Sequence, residues 1–397
     1  VIIFFALLPA YILSIFYRSF LSVIAGPVMA DLQIGPAEFG TLGAAWFITF
    51  AAAQFPVGWA LDRLGPRRTV GTTMAIGTAG AFLFATAQSA WVAVFAMGLV
   101  GIGCSPIFMS ALYLFARTQD VARFGVLSSV FIGLGSLGNL AGAAPLALAA
   151  QSYGWRATML GFAAMFLLAT VLAAVLVRDP PVATDASGRQ EGLLKGLKSI
   201  VSIGPLWLLA PITLSAYAIL ATGRGLWIAP FMSQVHGLDA VAAGHAATAM
   251  AVTMIAGAFV YGGLQKRTGR SKPLVAWGTA ATGVGFALLA LLGDRSMPGA
   301  VTLFAIVGGT GFTYAILMAH ARVFFPDHLV GRGMTFVNFL FIAGAAMVQF
   351  GSGWLIAAQR AAGHDPATAF ANLHWVFAAL LLASTAVYLF TPEHRAK

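Results

Sequence analysis

Apolar runs of twenty or more residues recur along this chain of 397, separated by short polar loops. That pattern leaves few folds open. A run of this length crosses a bilayer as a helix. In lipid every backbone N–H and C=O must be satisfied within the protein, which restricts spanning structure to helices or closed barrels. The runs here are continuous in apolarity instead of alternating, so helices are expected. A composition of 60% hydrophobic and only 9% charged residues, with 45 glycines, excludes an ordinary soluble domain. The expected fold class is therefore an all-α membrane protein.

Twelve spans are expected, at 2–28, 38–60, 69–88, 91–116, 124–150, 157–177, 204–232, 240–264, 273–293, 299–323, 333–357 and 369–390. The polar stretch between the sixth and seventh divides the chain into an N-terminal six-helix bundle (1–178), a linker (179–203) and a C-terminal six-helix bundle (204–397). In the linker, Asp179-Pro-Pro stops a helix, and the run from Gly192 reads as a short amphipathic interfacial helix. If both termini are cytoplasmic, the opposite side holds only Arg156, Arg295 and Arg360, and nearly all other Lys and Arg lie inside. The basic pI near 10.2 then records membrane orientation, not nucleic-acid binding. The first segment is too long for the core of a cleavable signal peptide and lacks a basic start. The single cysteine, Cys104, supplies no disulfide framework.

Two arginines stand inside the spans, Arg18 and Arg224, while all twelve Asp and Glu lie in loops or at segment ends. A guanidinium at membrane depth costs about 2.5–3.5 kcal/mol on insertion scales. An anionic ligand is the simplest compensation. Snorkelling, or pinning by backbone carbonyls, water and aromatic faces, is the alternative. Tyr11 and Tyr217 each precede an arginine by seven residues, which puts both groups on one face of an unbroken helix. The Tyr–Arg pair therefore repeats at an offset of 206. Ser14 and Ser22 share the Arg18 face, and Trp227 the Arg224 face. Tyr113, Asn139, Tyr314, Asn338 and Gln349 are further polar residues in spans, as suited to bonding helices together as to holding a ligand. His245, His320 and His374 are the groups in or beside the spans that titrate near neutral pH.

The loop after the second span reads Gly58-Trp-Ala-Leu-Asp62-Arg63-Leu-Gly65-Pro-Arg67-Arg68. A degenerate copy, Gly262-x-x-x-Lys266-Arg267-x-Gly269, recurs after the eighth at an offset of 204. This pattern resembles the signature loop of the major facilitator superfamily, and the resemblance extends over all twelve spans. It implies two pseudo-symmetric six-helix bundles and alternating access by rocking about a central site. It also implies a cytoplasmic gate in which Asp62 meets the start of helix eleven near Arg332-Gly333, with Arg117 as an ion-pair partner. Gly58, Arg63, Gly65, Arg67 and Arg68 complete that gate; the arginines serve equally as orientation determinants.

The helix-four arginine and helix-five Gly-Pro pair of the superfamily's drug exporters are replaced by Met97 and by Gly138-Asn139. Phe16-Tyr17-Arg18, the Gln54-Phe-Pro-Val-Gly58 run and Tyr153-Gly-Trp-Arg156 look like the nitrate/nitrite-porter-related and organic-anion-transporting branches. The organophosphate exchangers are similar in placing one arginine in each of helices one and seven.

These readings converge on a secondary transporter of a small carboxylate- or phosphate-bearing anion, held between Arg18 and Arg224 with Tyr11, Tyr217, Ser14, Trp227, Tyr113, Tyr314 and Asn338 around it. The alternatives are proton-coupled transport of a zwitterion such as an amino acid or metallophore, and multidrug export. No metal, cofactor or enzymatic motif is expected. The partners are the anionic substrate and the bilayer, and the protein is expected to act as a monomer in a bacterial inner membrane.

Overall fold

A computed structural model describes residues 2–118, 127, 130–179, 200–326 and 330–393. The architecture is all-α. In chain order the helices are α1 (Ile2–Tyr17), α2 (Ala25–Leu32), α3 (Pro36–Leu64), α4 (Pro66–Ala85), α5 (Ala90–Cys104), α6 (Ile107–Thr118), α7 (Leu137–Ala141), α8 (Ala144–Tyr153) and α9 (Trp155–Leu176). There follow α10 (Gly204–Thr222), a π-helical turn (Gly223–Trp227), α11 (Ile228–His236), α12 (Ala240–Thr268), α13 (Lys272–Leu292), α14 (Met297–Gly311), α15 (Tyr314–Arg322), α16 (Val330–Ala361) and α17 (Pro366–Tyr388).

Ten stretches of the described residues are long and apolar enough to cross a membrane. The two other expected spans fall short for identifiable reasons. The first is interrupted after Tyr17, leaving a short apolar helix. The third, α4, has 20 residues and so spans about 30 Å, but Arg67, Arg68 and its threonines lower its apolarity. The amphipathic helix expected in the linker lies outside the described residues.

By packing, the chain forms two compact units. One comprises Val1–Pro181, Thr222–Thr248 and Gln349–Pro366; the other comprises Val182–Ala221, Ala249–Val348 and Ala367–Lys397. Parts of spans seven, eight and eleven pack with the N-terminal helices in the first unit. Glycine makes that packing close. A Cβ on Gly353 of α16 would lie 2.6 Å from the Pro36 carbonyl oxygen and 2.8 Å from the Gly40 Cα of α3. Only two glycines allow backbones so near. The Trp227 indole N–H donates to Ser352 Oγ at 2.7 Å, Arg360 donates to Gln234 at 2.8 Å, and the Ala144 N–H donates to Thr248 Oγ1 at 3.3 Å.

Among the described residues several spans are broken, and at the breaks in spans four and ten side chains come to the backbone groups that are freed, as lipid requires. In span four, Pro106 has no N–H for the Ile102 carbonyl; the Ser105 hydroxyl donates to it instead at 2.7 Å. The Ser105 carbonyl accepts from Gln54 of α3 at 3.3 Å. In span ten the helix stops at Gly311, and the Thr310 carbonyl accepts from the Tyr261 hydroxyl of α12 at 2.6 Å. Shifted by 206, Ser105 and Pro106 fall on Gly311 and Phe312. Two further breaks lie at the arginines.

Candidate functional site

Helix α1 ends at Tyr17, and residues 18–24 are non-helical. Arg18 thus opens an irregular stretch instead of lying mid-helix. Its equivalent, Arg224, lies in the π-helical turn, where the Ile228 N–H reaches back five residues to the Gly223 carbonyl. The widened turn leaves the Arg224 and Gly225 carbonyls to other donors. Both come from the first break: the Ser22 N–H donates to the Gly225 carbonyl at 3.0 Å, and Ser22 Oγ to the Arg224 carbonyl at 3.0 Å. Gly225 permits the approach, since a Cβ there would lie 3.3 Å from the Arg18 carbonyl oxygen. The two irregular segments satisfy one another.

The arginine side chains have different surroundings. Arg18 is half-buried, its guanidinium 5.1 Å from the centre of the Trp46 ring and 5.6 Å from that of Phe50, both on α3. Those faces offer cation–π attraction without neutralising the charge. Arg224 is buried, at 4% exposure, which rules out snorkelling in this structure. Its Nη2 donates to Asn139 Oδ1 at 2.6 Å. The same oxygen lies 3.4 Å from the Ser19 hydroxyl, which has a nearer acceptor in the Ile15 carbonyl at 3.2 Å.

The shared Tyr–Arg faces do not carry through the breaks. Helical periodicity ends at Tyr17, and the π turn alters it at Gly223. Tyr11 is stacked against Phe131 and Phe108, with ring centres 4.8 and 5.4 Å away. Ser14 is buried beside Cys104, and Tyr113 of α6 is half-buried. Trp227 is buried and commits its N–H to Ser352. In the second unit Tyr217 packs 5.6 Å from Tyr314, and Tyr314 packs 4.5 Å from Phe341. The Tyr314 hydroxyl donates to Asn338 Oδ1 at 2.8 Å. The structure therefore joins Tyr217, Tyr314 and Asn338 in one cluster and Arg224 with Asn139 in another.

In the signature loop, Gly65 adopts φ 81° and ψ 162°, a conformation almost confined to glycine. Gly269, its counterpart in the second copy, also has positive φ, at 65°. Asp179, at the end of span six, accepts from the Arg67 N–H at 2.8 Å and so caps α4. Arg67 Nε donates to the Ala174 carbonyl at 2.9 Å. Arg63 lies over Trp59 at 5.8 Å, and Gly58 and Arg68 are exposed. The second copy has a parallel: Arg270 pairs with Glu393, after the twelfth span, at 3.7 Å. The side chains of Asp62, Arg117 and Arg332, on which the expected gate turns, lie outside the described residues. The contribution of Asp179 was not legible in sequence, because a contact across 112 positions leaves no local signal.

Broken helices and a twofold sequence repeat are features of polytopic carriers as a class. The Major Facilitator Superfamily model matches residues 7–348 and again 213–397, and the chain belongs to that superfamily. Its fold is of the alternating-access transporter type. A D-xylose-proton symporter superimposes with a TM-score of 0.79 at 14% identity over 98% of both chains. A mutant of the nucleoside transporter NupG gives 0.77 at 13% identity, covering 98% of this chain and 99% of that one. A bacterial homolog of the human lysosomal transporter Spinster, inward-facing and occupied, gives 0.76 at 16% identity, covering 98% and 96%. In sequence, a probable sulfoacetate transporter, SauU, of Cupriavidus necator is 24% identical over 171 residues, which is 43% of this chain and 40% of that protein.

Proposed function

We propose that this secondary transporter moves a small organic anion across a bacterial inner membrane, with its oxyanion groups bound by Arg18 and Arg224. Of the two branches the sequence resembles, this is the organic-anion one. The observation that carries the reading is the meeting of the two arginine-bearing breaks, where Ser22 bonds the backbone at Arg224 and Gly225. The backbone segments that bear the two arginines thereby meet, among spans whose acidic residues in sequence lie only at their ends. Arginine's planar fork suits carboxylate, sulfonate and phosphate groups.

Two flanking hydroxyls add support. Tyr17 and Thr222 each hold a buried hydroxyl with no hydrogen-bond partner in the structure, a state that costs about 1–3 kcal/mol. An oxyanion accepts from such groups. The partial relative named a probable sulfoacetate transporter would carry a molecule with one sulfonate and one carboxylate, which matches two arginines in number and charge. The gate about Asp62 and Arg117, the division at 179–203 and the monomeric state are parts of the same proposal, as is the cytoplasmic placement of both termini.

The test is a thermal-shift screen of the purified protein against sulfoacetate, mono- and dicarboxylates, phosphate esters, nitrate, amino acids and lipophilic cations. Arg18→Ala and Arg224→Ala run in parallel. Anions alone should stabilise the parent, and each variant should lose at least tenfold in affinity, about the value of one charge-assisted hydrogen bond. Stabilisation by cations or neutral hydrophobes, or undiminished anion binding in both variants, would refute the proposal.

A further inference from the structure

We propose that Asn139 is the positioning residue of the substrate site, a neutral acceptor that aims Arg224 without itself cancelling the charge, so that position 139 sets selectivity for anions. The inference rests on the anion reading above.

A buried guanidinium needs hydrogen-bond acceptors, and the acceptor's charge decides what the arginine can do next. A carboxylate at this place would satisfy Arg224 and also cancel it, leaving little attraction for an incoming anion. A carbonyl oxygen supplies direction and partial charge only. Asn139 provides that oxygen at 2.6 Å from Arg224 Nη2. Only Oδ1 can face the guanidinium, because the amide's NH2 end would oppose donor to donor.

The oxygen is itself held. The Ser19 hydroxyl, one residue beyond Arg18, lies 3.4 Å from it and shares its one proton with the Ile15 carbonyl at 3.2 Å. Gly138, the preceding residue, lies so close to the first helix that a Cβ there would collide with the Ile12 carbonyl oxygen. Asn139 is thus fixed to the break in span one and reports to Arg224 in span seven. Simple interhelical bonding needs only a polar pair here. The charge-neutral choice opposite a buried arginine is what ties the position to substrate. Aspartate has the same shape, so a purely structural role would tolerate it.

The experiment measures sulfoacetate and succinate binding by thermal shift, together with ligand-free melting, for the parent, Asn139→Asp, Asn139→Ala and Arg224→Ala. Asn139→Asp should melt no lower than the parent yet bind either anion about 10- to 100-fold more weakly, the loss expected when one charge-assisted hydrogen bond is cancelled. Asn139→Ala, which keeps the charge and loses the aim, should weaken binding about tenfold by the same conversion. If Asn139→Asp does not fold, unchanged affinity in Asn139→Ala overturns the inference. If Arg224→Ala loses binding while Asn139→Asp keeps it, the role of Asn139 fails and the anion site stands. If the parent binds neither anion, or Arg224→Ala binds both normally, the site reading fails and takes this inference with it.

Discussion

Replacing Gly353 by alanine should loosen the packing of α16 on α3. The added methyl would sit 2.6 Å from the Pro36 carbonyl oxygen and 2.8 Å from the Gly40 Cα, both backbone atoms with no rotamer to yield. Carbon pairs rest at about 3.5 Å or more, so the helices must part by about 0.7 Å. Overpacking of this kind costs about 1–3 kcal/mol. We propose that alternating access makes and breaks this contact, so that the cost falls on the closed arrangement alone. It shifts the balance toward opening by about 5- to 150-fold.

The readout is the maleimide labelling rate of a cysteine at Ala44, a buried position one turn along α3 from Gly40. It is made in a Cys104→Ser background, Cys104 being the sole native thiol. Labelling should rise at least fivefold with Gly353→Ala, within the range just derived. An unchanged rate in a variant that folds as the parent does would refute the idea that this glycine contact keeps that end closed.

Two further outcomes follow from the same structure. Gly65→Ala forces a side chain into a glycine-only conformation against the Asp179 carboxylate, 2.5 Å from the new Cβ; melting should fall by an amount corresponding to about 1–3 kcal/mol. Gly58→Ala, with open space at its Cβ, should show no such fall in the same melt. Tyr314→Phe removes the donor to Asn338; a loss of about 1 kcal/mol in melting is expected, and transport assays will show whether that cluster touches substrate.

Much of this was legible in sequence because lipid imposes its rules locally. Span positions follow from apolarity, and Gly65 and Gly269 follow from a repeated loop. The distance in sequence from Arg18 and Arg224 to any acidic residue is read directly. The breaks were less accessible. Span one has no proline at Arg18, and its interruption is stabilised by carbonyls 200 positions away. The π turn had one signal, glycines on both sides of Arg224, but glycine in a membrane helix more commonly marks close packing. The seven-residue Tyr–Arg spacing was read with an ideal helical period, which holds only while the helix does. Asn139 was visible as a polar residue in a span; its partner was not, because nothing in its neighbourhood names Arg224.

The break in span four and the break in span ten fall at matching places in the two repeats, yet share no residues. One has serine and proline, the other glycine and phenylalanine, and the side chain that comes to the freed carbonyl is glutamine in one case and tyrosine in the other. The shape of the backbone has therefore outlived the chemistry that supports it. For a gene that doubled and then drifted, this ranks what selection preserved: first the kink, then the means of making it. It also marks these two positions as places where one half can be rewritten with the vocabulary of the other.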